Sequence, residues 1–182
     1  MRRAGALRLG AAIAATLAAG TLFAGCGGAQ NGPAKLDVRP LEEPKAFDVV
    51  KAVLAERGYT GETGTKVELT TQARFEADFR VPGKKIAIEY LVDQDRVEIG
   101  LIPPPASGSR LHVLQATTVP ADAKAAGETL YVFFLDDRSY EYQFNPTSDN
   151  RADITLNEVL SRLKRDLIDF FTWYETTQGT AP

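Results

Sequence analysis

A single cysteine, Cys26, and a single histidine, His112, bound the chemistry open to this 182-residue chain. One thiol excludes an intramolecular disulfide framework, a cysteine-rich zinc site and a C-x-x-C redox pair, and one imidazole excludes a histidine-rich metal site. Ser-His-Asp catalysis has to use His112, which sits among apolar residues in Leu111-His112-Val113-Leu114 with no signature for a nucleophile or an orienting acid. The chain carries no P-loop, G-x-G-x-x-G or G-x-S-x-G pattern. His112 is therefore expected to be packed or partly exposed, and no catalytic residue or cofactor is assigned. The other group of chemical interest is acidic: Glu76, Asp78 and Glu89. If residues 73–92 form a hairpin in symmetric register, Glu76 faces Glu89 across the strands, with Asp78 two residues along on the same face. Directly opposed like charges are unfavourable. They are tolerated when Arg74, Arg80 or Lys85 pairs with them, or when they hold a hard cation such as Mg²⁺ or Ca²⁺ through oxygen ligands.

The order helix, strand, Asp78, turn, then Lys84-Lys85-Ile86-Ala87-Ile88-Glu89, with Glu56 on the preceding helix, resembles the core of the PD-(D/E)xK nuclease superfamily over about residues 47–91. The resemblance implies a metal-binding or nuclease-like hydrolase built on the acids of the hairpin. That family has Lys two residues after the Glu, and this chain has Leu91 there, which removes a group that stabilises charge in the reaction. The competing reading of the same acids, a solvated face laced with salt bridges, is the one adopted.

Cys26 ends a different pattern. Arg2, Arg3 and Arg8 make a cationic start, Leu9 to Phe23 is an uncharged Ala/Leu-rich run of 15 residues, and the small residues Ala24 and Gly25 directly precede the cysteine. This is the layout of a secretion signal, and the run is short of the roughly 20 apolar residues that cross a bilayer. Leu22-Phe23-Ala24-Gly25-Cys26 resembles the lipobox of bacterial lipoproteins, with Phe23 where that family usually has Leu. The resemblance implies cleavage before Cys26 and lipid on its sulfur and amine. Gly27 in place of Asp implies, by the family's sorting rule, the outer membrane, facing the periplasm. Several acyl chains on one residue hold a protein to a membrane far more firmly than one, at about 0.8 kcal/mol per buried CH₂. The alternative is an ordinary signal that leaves a free or buried thiol.

Loss of residues 1–25 removes three arginines and no acids, so 18 Lys+Arg then face 24 Asp+Glu, a net charge of −6. Neither a footprint for nucleic acid nor a polybasic grip on anionic lipid is present. The expected partners are the membrane, through Cys26, and an envelope protein.

The elements that must position these groups follow from periodicity. Residues 26–44, with GGAQNGPAK and Pro40 and Pro44 around Glu42-Glu43, read as a flexible tether. A single globular domain is expected over 45–176, beginning with a helix at 45–57 that Gly58 stops. Strict alternation marks strands at 66–70, 73–81 and 86–92, with Pro82-Gly83 as the turn. Residues 93–108, including Pro103-Pro104-Pro105, read as an irregular loop that could contact a ligand. Strands follow at 110–119 and 129–135, with a helical turn at 121–126 between them. Tyr140 to Phe144 is expected to return antiparallel on the previous strand, with Phe133 opposite Tyr142 and Tyr131 opposite Phe144. A helix over 155–174 is capped by Thr155 and Glu158 and carries Leu156, Leu160, Leu163, Leu167, Phe170 and Tyr174 on one face. Its terminal aromatics are read as core. The expectation is an α+β fold, an antiparallel sheet packed against an N-terminal and a C-terminal helix, held at the envelope and acting as a binding or scaffolding module.

Overall fold

Helix α1 (Glu43–Glu56) follows from its apolar spacing: Ala46, Val50, Val53 and Leu54 are buried along one stripe, and Pro44 occupies the first turn. Gly58, at φ 71°, ends it. The Gly58 N–H donates to the Ala55 carbonyl and the Tyr59 N–H to the Leu54 carbonyl, the pair of bonds of a Schellman stop. The computed structural model describes residues 37–122, 124–144 and 151–177. The expected leader, Cys26 and the tether up to residue 36 lie outside the described residues. The chain divides after Ala34 into two units, and every described residue belongs to the second.

Six strands, β2 (Thr65–Leu69), β3 (Arg74–Ala77), β4 (Phe79–Val81), β5 (Ile86–Leu91), β6 (His112–Thr118) and β7 (Thr129–Asp136), form one sheet in the order β3-β2-β6-β7-β5-β4. The two edge strands, β3 and β4, are consecutive segments separated only by Asp78, so the sheet curls until its opposite edges meet. The β4–β5 turn is built as Pro-Gly requires: Gly83 has φ 72° and the Lys84 N–H donates to the Val81 carbonyl. Strands β1 (Asp37–Pro40) and β8 (Glu141–Phe144) make a separate two-stranded antiparallel sheet.

Two apolar layers result. On one face of the sheet, Phe79, Ile86, Ile88, Phe133 and Leu135 pack with α1 and with Leu163, Leu167, Phe170 and Phe171 of helix α3 (Arg151–Thr177). Phe133 and Phe170 stack with ring centroids 4.5 Å apart. On the other face, inside the curl, Val67, Ala77, Ala87, Leu91, Val132 and Phe134 pack with Ile99 of helix α2 (Asp93–Ile99). The helix with the aromatic end lies on the sheet as its stripe predicts, and Phe170, Phe171 and Tyr174 are core residues.

The mixed α and β content agrees with expectation, and the single antiparallel sheet does not. Strand β7 runs parallel to β5, with Ile88 beside Phe133, and the crossover between them carries α2 and β6. Strand β8 pairs with β1, Tyr142 opposite Arg39 and Phe144 opposite Asp37, and not with β7. β1 and the start of α1 occupy the end of the 26–44 stretch read as tether. α2 replaces part of the loop expected at 93–108, and the described residues of 121–126 form bends and a turn, not a helix. Thr155 is not an N-cap, because α3 begins four residues earlier.

Candidate functional site

The strand expected over 73–81 keeps its alternation but changes partners, and Asp78 is where it does so. Phe75 and Ala77 face the inner layer, whereas Phe79 and Val81 face the helices. A bend at Asp78 therefore turns the chain over, and β3 pairs with β2 while β4 pairs with β5. The register corrects the expected acidic face. Glu76 is exposed opposite Lys66, not Glu89, and Asp78 takes the place beside Glu89.

Asp78 and Glu89 seal the ladder where the strand switches. The Asp78 N–H donates to Glu89 Oε2 at 3.2 Å, and the Tyr90 N–H donates to Asp78 Oδ2 at 2.7 Å. Each carboxyl thus takes a backbone donor that the broken ladder leaves open, which a buried amide requires. Glu89 is only 3% exposed, between Ala87 and Leu91 of the inner layer. Burial pushes its carboxyl up to about 9, with the nearby Asp78 adding to the shift. Burial likewise raises Asp78 to about 7, against the lowering effect of the Tyr90 N–H. Asp95 of α2 and Glu43 of α1 push both in the same direction. The upward shift favours the protonated form of Glu89 at neutral pH, which relieves the repulsion between the two acids.

None of the basic residues expected to pair with these acids does so. Arg74 bonds Glu68 at 2.6 Å. Arg80, 8% exposed, donates to the carbonyls of Val81, Lys84 and Ile86 and bridges Glu128 at 2.8 Å, tying the β4–β5 turn to the β6–β7 connection. Glu56 bonds Lys164 of α3 at 2.7 Å and does not join Asp78 and Glu89. Of the acids that carried the nuclease resemblance, two meet, both spent on backbone amides, and Leu91 is buried in the inner layer. Among the described residues no group of three or more metal-ligating side chains converges.

A second polar constellation lies where the β6 start, the β7 end and α3 meet, and no pattern in the sequence announces it. A cleft of about 230 Å³ is lined by Arg110, His112, Asp136, Ser139, Tyr140 and Asp166, with Phe133, Phe134 and Pro105 completing its walls. His112 is half-buried, as expected. Its ring lies 5.2 Å from that of Phe134, and its Nε2 meets the Pro103 carbonyl at 2.7 Å, tying down the proline-rich loop. The Tyr140 hydroxyl donates to Asp166 Oδ2 at 2.9 Å, and burial raises the Tyr140 phenol far above its usual range, so it stays a donor. Asp136 accepts from Arg96 of α2 at 2.5 Å and from the Arg138 N–H at 3.0 Å. Arg96 also bonds Asp93 at 2.7 Å and the nearly buried Asp137, fixing α2 against the end of β7. The residues come from segments far apart in sequence, and only the lone His112 was open to notice beforehand.

The fold and its sites thus define a mixed α/β domain with a buried carboxyl clasp and a small cleft carrying both signs of charge. Comparison with protein-family models, curated proteins and solved structures finds no match for this chain.

Proposed function

We propose that the protein is exported, cleaved before Cys26, lipidated there and retained at the outer membrane facing the periplasm, where its domain works as a binding or scaffolding module. The observation that carries the anchor is the sequence Leu22-Phe23-Ala24-Gly25-Cys26 after a cationic start and an apolar run. A leftover cysteine in a secreted protein needs a role, and lipidation supplies one. No helix among the described residues is long and apolar enough to cross a membrane, which leaves attachment in this reading to acyl chains. From Cys26 to the start of β1 at Asp37 the chain reaches at most about 40 Å when fully extended, so the domain in this reading works close to the bilayer.

The reading of the domain as a binding module rests on what its acids do. Asp78 and Glu89 hold the strand switch, with one oxygen of each engaged by a main-chain N–H. Two carboxyls whose values are pushed apart are also the raw material of general acid–base catalysis. Here Glu89 is buried, Asp78 is half-buried, and each has an oxygen tied to a main-chain donor. The hydrolase reading loses Glu76, Glu56 and the lysine together. Incorporation of labelled palmitate into the wild-type chain and into Cys26→Ala tests the anchor. Label in the wild type alone is expected, and label in neither form rules the anchor out.

A further inference from the structure

The cleft beside His112 is lined by two charged side chains, Arg110 and Asp166, that form no ion pair among the described residues. The exposed guanidinium of Arg110 makes no hydrogen bond or ion pair with any described residue. Asp166 is satisfied only by the neutral Tyr140 hydroxyl and has no cationic partner within salt-bridge distance among the described residues. Both line the same cavity of about 230 Å³, yet they do not bridge each other. The contrast with the surroundings is sharp. Arg96, Arg138, Arg57 and Lys164 each have a carboxylate within 3.0 Å. A cation and an anion that line one small cavity without an ion pair among the described residues are complementary to a molecule that carries both charges.

We propose that this cleft binds a small zwitterion of the amino acid or dipeptide class. The ligand carboxylate is held by Arg110, whose planar fork suits bidentate recognition. The ligand ammonium is held by Asp166, whose Oδ2 already accepts from Tyr140 and whose second oxygen remains for the ligand. The cavity, at about 230 Å³, admits a molecule of amino-acid or dipeptide size. His112 anchors the Pro103 end of the loop that supplies Pro105 to the cavity wall, so the loop is held in place before a ligand arrives. Preformed walls reduce the ordering cost of binding.

This inference deepens the binding-module reading and rests on it, but it is tested separately from the lipid anchor. The full chain in detergent is titrated calorimetrically with each of the twenty L-amino acids and glycylglycine, and with ethylamine and acetate as half-ligands. The expected result is saturable binding of at least one zwitterion, with both half-ligands at least tenfold weaker. Arg110→Ala should weaken that binding at least tenfold without changing the melting temperature, and Arg110→Lys should restore part of it. No saturable binding at 10 mM, binding of a half-ligand as tight as that of the zwitterion, or binding unaffected by Arg110→Ala would each overturn the proposal. Palmitate labelling without zwitterion binding would leave the anchored scaffold standing and remove only the cleft.

Discussion

Asp78 and Glu89 are acids that burial holds in their neutral forms, and this has a measurable cost as pH rises. The folded values, about 7 and about 9, lie above the ordinary carboxyl values of 3.8 and 4.5. The folded state therefore binds protons more tightly than the unfolded chain. The stability they contribute is complete below about pH 4 and is lost as pH rises first through the Asp78 value and then through that of Glu89. Glu89→Gln keeps an oxygen for the Asp78 N–H and cannot ionise. Between pH 5 and pH 9 the variant should gain on the wild type by on the order of 5 kcal/mol in unfolding free energy, at about 1.4 kcal/mol per pH unit. Denaturant melts at several pH values check this, and parallel stability curves would show that the pair ionises freely. These two acids were visible in the sequence as an acidic face, but their true relation was not. Alternation says which residues share a face of a strand, and it is silent on the one-residue bend that turns the same parity toward a different layer.

At the scale of elements, local patterns proved legible where local physics decides the outcome. The spacing of Val50, Val53 and Leu54 and the stop at Gly58 mark α1, and the stripe of Leu163, Leu167 and Phe170 marks α3. Pairing depends on distant chain and was not legible: β7 is an apolar run that serves equally well in a parallel or an antiparallel ladder. α2 has seven residues with Ile99 alone buried, too little apolar periodicity to stand out, and Arg96 fixes it through carboxylates of a distant strand end. The charged cleft escaped for the same reason, since Arg110 and Asp166 are 56 residues apart and line one cavity only through the sheet–helix packing. That packing is itself testable. Phe170 is fully buried and stacked on Phe133, so Phe170→Ala should cost about 3–5 kcal/mol. Ile168, two residues away and 37% exposed, should cost under about 1 kcal/mol when replaced by Ala. Urea titration of both variants separates a helix docked on the sheet from one held loosely, for which the two costs would be alike.

For the whole molecule, the mixed α/β domain with its charged cleft follows Cys26, the proposed attachment point, in the chain. The net charge of −6 expected after cleavage gives the domain no electrostatic hold on an anionic membrane. The proposed location therefore rests on Cys26. The most direct measurement is the intact mass of the chain extracted from membranes of cells that express it, with fragmentation of its N-terminal peptide. The account predicts a chain that begins at Cys26, lacks residues 1–25 and carries acyl chains on that cysteine. A chain with an unmodified Cys26, whether the leader is retained or cut elsewhere, would contradict it.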